Sequence, residues 1–379
     1  MKYFSPDKIP PSRWKGRWAP STSQNGTTSM KTAWSSASAS FLFSGRKLSL
    51  RAGASTERKD KDNGGTPMLA ILTGLTERAA LNRDPNLSTW RTVDPAPNTE
   101  IIIFDDSAKG QDGVIHDKTF VKIVLIDWAS IFDFGALITD DDGDLDFEEI
   151  KYTSVPKVLL IGDSISCAMA VSPEQGGEPI PFGILEGYPY VAQRILLERN
   201  LAFDLELVAH PGINMVKPTE EEKEKGQPIG MEDLFFWKSF WEREESKPNV
   251  QVTIVAIALG TNDQFFKITP ERFYEAIVNL IQRLIQLSTS PIQQVWLIPP
   301  FPDADTDSQY LSEAIPSFTP LLVKKFQDQH ISFKLCDLVK GLTAKDTVDG
   351  VHPSLITHQR LGRDFALFIE KEVELNLFL

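Results

Sequence analysis

Cysteine is almost missing from the chain: Cys167 and Cys336 are the only two in 379 residues. They lie far apart and outside any metal-ligand spacing, so a disulfide scaffold is excluded. Long apolar runs are missing as well. No stretch approaches the ~20 apolar residues that a membrane-spanning helix needs. The opening Met1-Lys2-Tyr3-Phe4-Ser5-Pro6-Asp7 lacks the apolar core of a secretory signal. A cytoplasmic, soluble protein is the expectation, with secretion left open for a trimmed chain. Positive charge is in deficit: 39 Lys and Arg against 52 Asp and Glu leave a net charge of −13. That balance disfavours nucleic acid and anionic membrane surfaces as partners, and oligomeric state stays open.

What is present is ample for folded cores, with 41% hydrophobic and 10% aromatic residues. The length exceeds the usual size of one core and predicts two domains. From the start to about residue 150 the texture is all-β, with short apolar or alternating runs between polar turns. Candidate strands are Ser40–Gly45, Leu48–Arg51, Met68–Leu72, Glu100–Phe104 and Thr119–Ile126. Such a pattern predicts a β-sandwich, jelly-roll-like, over residues 1–152. Trp14, Trp18 and Trp34 fit its core better than a sugar-stacking platform. The acidic run Asp140 to Asp146 resembles a calcium loop only in part. With Gly143 in the sixth place, Asp140, Asp142, Asp146 and Glu149 fall on ligand positions, but the anchoring first place is Ile138. A solvated turn is the better reading.

From residue 153 onward, apolar runs alternate with helical periods, the signature of an α/β domain. Five parallel strands are predicted at Lys157–Ile161, Asp204–Ala209, Val252–Leu259, Gln294–Ile298 and Ile331–Cys336. Helices are predicted over Tyr188–Asn200, over Pro270–Ser288 and from Ser354 toward the carboxyl end. The crossovers are long enough for right-handed connections. The first strand ends in Gly162-Asp163-Ser164, followed by a helix-compatible Cys167-Ala168-Met169-Ala170. The second ends in His210-Pro211-Gly212, the third in Gly260-Thr261-Asn262-Asp263, and beyond the fifth comes Asp349-Gly350-Val351-His352-Pro353. Ligands of open α/β sheets bind outside the carboxyl ends of the strands, so all four segments fall on the functional edge.

Their chemistry is complementary. A serine hydroxyl attacks only when a base takes its proton. His352 is the candidate base, and Asp349 can fold back to fix its tautomer and stabilise its cation. The backbone N–H groups of Ser164 and Gly212 and the side-chain amide of Asn262 are candidate donors to a developing oxyanion. Serine also favours helix N-caps, but that alone leaves the other segments unexplained. Asp163 and Asp263 read as structural hydrogen-bonders.

Taken together, Gly-Asp-Ser-Ile at 162–165, Gly212, Gly-Thr-Asn-Asp at 260–263 and Asp-Gly-Val-His-Pro at 349–353 resemble the blocks of the SGNH, or GDSL, hydrolases. The resemblance covers roughly residues 155 to 370 and implies a three-layer α/β/α fold with a five-stranded parallel sheet. It also implies Ser164 as nucleophile, the Asp349–His352 pair, and oxyanion donors at Ser164, Gly212 and Asn262. A preceding β-sandwich, with Gly16-Arg17-Trp18 and Phe41-Leu42-Phe43-Ser44-Gly45, is similar to the two-domain carbohydrate acetylesterases. Residues 153–379 are then the hydrolase domain, and the chemistry needs no metal and no organic cofactor.

Substrate contacts are expected from His210, Trp237, Trp241 and Phe265. His210 is placed at the mouth of the site, with an incidental exposed histidine as the plainer alternative. The insertion from Lys217 to Pro248 holds a dense aromatic stretch, Phe235-Phe236-Trp237-Lys238-Ser239-Phe240-Trp241, either core or lid. Pro299-Pro300-Phe301-Pro302-Asp303-Ala304-Asp305 is a candidate pocket wall, Cys167 a small buried hydrophobe, and His116, His330 and His358 carry no assignment. The activity expected is a serine esterase removing a short acyl group, acetyl first among them, from a carbohydrate or glycosylated small molecule. A lipid or thioester hydrolase, an acyltransferase and a catalytically silent carbohydrate-binding protein are the alternatives.

Overall fold

The computed structural model describes residues 1–22, 26, 28–61, 67–106, 116–147, 156–169, 180–201, 203–248, 250–301 and 309–373. The chain divides into two compact units, Met1–Thr153 and Ser154–Leu379. The first is built from two antiparallel sheets of seven and six strands. Alternation along Ser38–Gly45 buries Ala39, Phe41 and Phe43, which meet Leu48 and Leu50 of Lys47–Ala52 in one shared core. Residues from both sheets line that core, so the unit is a β-sandwich.

Trp14 and Trp18 pack edge-on against Phe134, with centroids 5.1 and 6.3 Å away, and Trp34 is 2% exposed. Trp34 is thus buried, while Trp14 and Trp18 are partly buried and pack against the core from its side. In the acidic turn, Asp140 accepts the Arg46 N–H at 3.3 Å, and Asp144–Asp146 pairs as a strand with Ser38–Gly45. Glu149 lies outside the described residues. The long central strand Ser130–Thr139 has no counterpart among the sequence expectations. Asp133 and Gly135 interrupt its apolar pattern, and its register shifts between Phe134 and Ala136, so alternation breaks where a bulge forms.

The second unit contains β1 (Lys157–Gly162), β2 (Asp204–Ala209), β3 (Ile254–Ala258), β4 (Gln294–Leu297) and β5 (Ser332–Leu335). They form one five-stranded sheet in the order β2-β1-β3-β4-β5, parallel throughout. Val158 to Ile161 are buried, as expected of a parallel strand covered on both faces. Five helices matter here: α1 (Tyr188–Glu198), α2 (Thr261–Phe265), α3 (Pro270–Leu287), α4 (Tyr310–Lys325) and α5 (Leu355–Glu372). α1 packs on α5 and α3 on α4, completing a three-layer α/β/α arrangement.

α3 shows how sequence makes such an element. Thr269 caps it by accepting the Arg272 N–H, and Pro270 occupies the first turn, where a missing N–H costs nothing. Phe273, Ile277, Leu280, Ile281 and Leu284 then bury one face. The sheet register matters most for function. Gly162 pairs with Ala209 on one side and Ala258 on the other, so β1, β2 and β3 end level. The segments that follow them leave the sheet side by side.

Candidate active site

Gly162 ends β1 because nothing larger fits: an added Cβ would lie 2.2 Å from Ser166 Oγ. Ser166 Oγ in turn stands 3.1 Å from Tyr188 OH, tying the segment to α1. The expected helix after Ser164 does not form over the described residues. Cys167 and Met169 donate their N–H groups to Asp163 and Ser164 carbonyls, closing a single turn. Ala168 then takes φ 51°, a left-handed conformation that ends helical propagation for an L-residue. Ala170 lies outside the described residues. Ser164 is 6% exposed, and Cys167 is buried.

Asp163 is also buried, accepting the Ile165 N–H at 3.0 Å. Burial pushes its carboxyl up to about 6, opposed by the Ile165 N–H and the charge of His352. It therefore braces the turn, and Ser164 points to a different partner. His352 Nε2 stands 2.9 Å from Ser164 Oγ, and His352 Nδ1 stands 2.6 Å from Asp349 Oδ2. Asp349 Oδ1 accepts the backbone N–H groups of Val351 at 3.0 Å and His352 at 2.7 Å. Burial works against the Asp349 charge, but the His352 ring and these N–H groups outweigh it and bring the carboxyl to about 2. An ionised carboxylate accepts only, so Nδ1 carries the imidazole proton. Nε2 is left with the lone pair that faces the serine.

The segment after β2 is held from the neighbouring strand end. Gly212 takes φ +70° with open space where a side chain would project. Such a backbone suits glycine and leaves its surroundings clear. Asn262, on α2, donates one Nδ2 hydrogen to Ile213 O at 3.0 Å, and a primary amide keeps a second. Asp263, fully buried, accepts Met215 N–H at 2.8 Å and Val216 N–H at 3.1 Å. Burial lifts the Asp263 carboxyl to about 7, resisted by those two N–H groups. The residue thus orients its neighbour's loop.

The expected substrate contacts separate. His210 is 5% exposed, which corrects the picture of an exposed histidine at the mouth. Its ring stacks on Phe240 at 4.1 Å and meets Trp241 edge-on at 6.2 Å. Trp237 is half-buried, with the Arg243 guanidinium 5.9 Å from its ring centre. Phe265 is 66% exposed on α2. The aromatic insertion is accordingly both core and surface: Phe235 and Phe236 are buried, while Trp237, Phe240 and Trp241 are partly open. Pro299 to Phe301 are buried; Pro302-Asp303-Ala304-Asp305 lies outside the described residues.

Two residues outside the expected site residues, His358 with no assignment and Phe240 read only as core or lid, also join the site's frame. His358 Nδ1 accepts the Tyr188 N–H at 3.3 Å, and Phe240 supports His210. An aromatic residue beside Trp241 was the only signal for the latter, and no local pattern marks His358. Among the described residues, no cluster of His, Cys, Asp or Glu is arranged to hold a metal ion, and no helix is long and apolar enough to cross a membrane.

No protein-family model and no curated protein matches the sequence. Solved structures do match, over nearly the whole chain. A family two carbohydrate esterase from Clostridium thermocellum, in complex with cellohexaose, superposes with TM-score 0.64 at 17% identity, covering 95% of this chain and 98% of that one. The fold is that of the two-domain carbohydrate esterases. An acetyl xylan esterase from the rumen bacterium Butyrivibrio proteoclasticus gives TM-score 0.62 at 13% identity, covering 98% of each chain. A salicylyl-acyltransferase from a tetracycline biosynthetic pathway gives 0.59 at 13% identity, covering 99% of each. This fold, a β-sandwich followed by a parallel α/β/α domain, is thus shared at identities where sequence comparison alone is silent.

Proposed function

We propose that the chain is a serine esterase that removes a short acyl group, acetyl first among them, from a hydroxyl of a carbohydrate or glycosylated small molecule. The observation that carries this is the hydrogen-bonded series Asp349–His352–Ser164 at the carboxyl edge of the parallel sheet. Ser164 Oγ attacks the ester carbon while its proton passes to His352 Nε2. The carbonyl oxygen becomes an oxyanion, which the Ser164 and Gly212 N–H groups and the second Asn262 hydrogen would receive. Collapse expels the alcohol, which takes the proton from His352, and leaves an acyl-serine. His352 then takes a proton from water as the hydroxide adds, and the second collapse breaks the acyl–Oγ bond, returns that proton from His352 to Ser164 Oγ and releases the acid. The level register of β1, β2 and β3 supports this use of the three donors.

The carbohydrate acceptor is supported by fold neighbours named as an acetyl xylan esterase and as an esterase in complex with cellohexaose. A second reading, transfer of the acyl group to another alcohol, is favoured by the acyltransferase that shares the fold over 99% of both chains. Turnover of p-nitrophenyl acetate and of acetylated oligosaccharides, with mass detection of products, tests both. Released acetate that falls at least ~10³-fold in Ser164→Ala is expected. Acyl groups appearing on an added alcohol would favour the transferase. Sugar binding with no turnover, or activity unchanged in Ser164→Ala, would defeat the esterase.

A further inference from the structure

We infer that His210 is a positioning residue that aims the oxyanion-donating N–H of Gly212, and that Phe240 and Trp241 of the insertion serve to hold its ring. This rests on the esterase assignment. It adds a function for the insertion and for a histidine that touches none of the reacting atoms.

One peptide group joins His210 to the donor. Pro211 C=O and Gly212 N–H belong to the same plane, and in a trans peptide they point in opposite directions. None of the described peptide bonds is cis. Whatever anchors the Pro211 oxygen therefore aims the Gly212 hydrogen. The chain around this peptide offers little resistance to a flip. Glycine accepts either sign of φ, and beyond its two chain neighbours no residue comes within 4 Å of the position a Cβ would take at Gly212. An anchor from elsewhere is required.

His210 supplies it. Its Nδ1 stands 2.8 Å from Pro211 O. A carbonyl oxygen has no proton to give, so Nδ1 is the donor and the tautomer is set. The bond spans adjacent residues, so it works only if the imidazole keeps its orientation. Phe240 lies parallel to the ring, 14° off plane at 4.1 Å, and Trp241 closes it from the side at 70°. Those two are themselves set edge to face at 5.0 Å. A tight turn presents them, with Ser239 Oγ accepting the Glu242 N–H at 3.0 Å and Lys238 N–H bonded to Glu244 O at 2.9 Å. Further along, Ile213 is fixed by Asn262, and Met215 and Val216 by Asp263. His210 completes the series at the peptide nearest the chemistry.

The test compares His210→Leu, His210→Gln, Phe240→Leu and the His210→Leu/Phe240→Leu double variant with the parent on p-nitrophenyl acetate. An aryl boronic acid, whose serine adduct is tetrahedral, serves as the second probe. Losing one oxyanion donor lowers kcat by about 10²–10³. His210→Leu is expected to approach that loss with KM within about threefold, and boronate affinity should fall in parallel. Gln, which can still donate, should recover part of the activity. The double variant should lose no more than His210→Leu, because Phe240 acts through the ring. A kcat within threefold of the parent in His210→Leu, or a rise in KM without a loss of kcat, would overturn the inference. So would losses that add in the double variant. Parent turnover that vanishes in Ser164→Ala secures the esterase assignment separately, so failure at His210 falls on this inference alone. Independently of turnover, nitrogen-15 spectra of the parent should show His210 protonated at Nδ1, and a ring protonated only at Nε2 would also overturn it.

Discussion

Asp349 works through both of its oxygens. Oδ2 receives the ring proton of His352, while Oδ1 receives two backbone N–H groups from Val351 and His352. With the carboxyl brought to about 2 despite its burial, the residue stays an anion across the working pH range, and the tautomer of His352 never depends on its titration. The arrangement makes Asp349→Asn informative. Asparagine has one oxygen, and the two N–H groups claim it. The amide nitrogen then faces His352 Nδ1 and can only donate, so the ring must protonate at Nε2, the atom that should accept from Ser164. A loss in kcat of about 10³–10⁴ is expected with little change in KM. Steady-state kinetics on p-nitrophenyl acetate measures it, and a loss below tenfold would show that Asp349 does not set the tautomer.

Between elements, the decisive joint lies where α1 meets α5. α1 begins after Gly187 with no side-chain cap, and its first orphan N–H, on Tyr188, is taken by His358 from α5. The two helices approach closely enough that a Cβ on Gly362 would lie 2.3 Å from Val191. Tyr188 also meets Ser166, so one residue joins the turn carrying Ser164 to the helix that follows His352. His358 is fully buried; burial first, then the charge of His352, brings its imidazole down to about 3. The folded state thus refuses a proton that the unfolded chain accepts below about 6.5. The associated stability is intact above that pH and is lost as pH falls toward 3.

Replacing His358 with glutamine keeps an acceptor and removes the titration. Urea unfolding at pH 7.5 and pH 5 should show the parent losing about 2 kcal/mol more than His358→Gln between the two. Equal losses would contradict a neutral buried imidazole. Asp163 and Asp263, lifted to about 6 and 7, act in the opposite direction: their stabilisation fades as pH rises through those values. Both proteins share that contribution, so it drops out of the comparison.

Over the whole molecule, the legible part of the sequence was the part written locally. Apolar runs marked the five strands of the second unit, with Val252–Leu259 shortening to Ile254–Ala258. The polar residues that follow them met at one edge because Gly162, Ala209 and Ala258 pair level. What could not be read depended on backbone detail or on partners distant in sequence. Ala168 adopts a left-handed φ that no propensity announces, so the sequence predicts a helix where the described residues form a turn. The strand Ser130–Thr139 was hidden by its own bulge. That His210 is covered is not legible, because the ring that covers it comes from the insertion. His358 carried no signal at all, since its meaning lies in a backbone N–H on another helix.

Covalent capture tests whether Ser164 is a nucleophile activated by His352. The full chain is incubated with a fluorophosphonate, which reacts with activated serine hydroxyls, and the modified residue is located by peptide mass spectrometry. One stoichiometric adduct on Ser164 is expected, abolished in Ser164→Ala and strongly slowed in His352→Ala. Labelling that persists in Ser164→Ala, or a Ser164 that stays unmodified in a protein that hydrolyses p-nitrophenyl acetate, would contradict it.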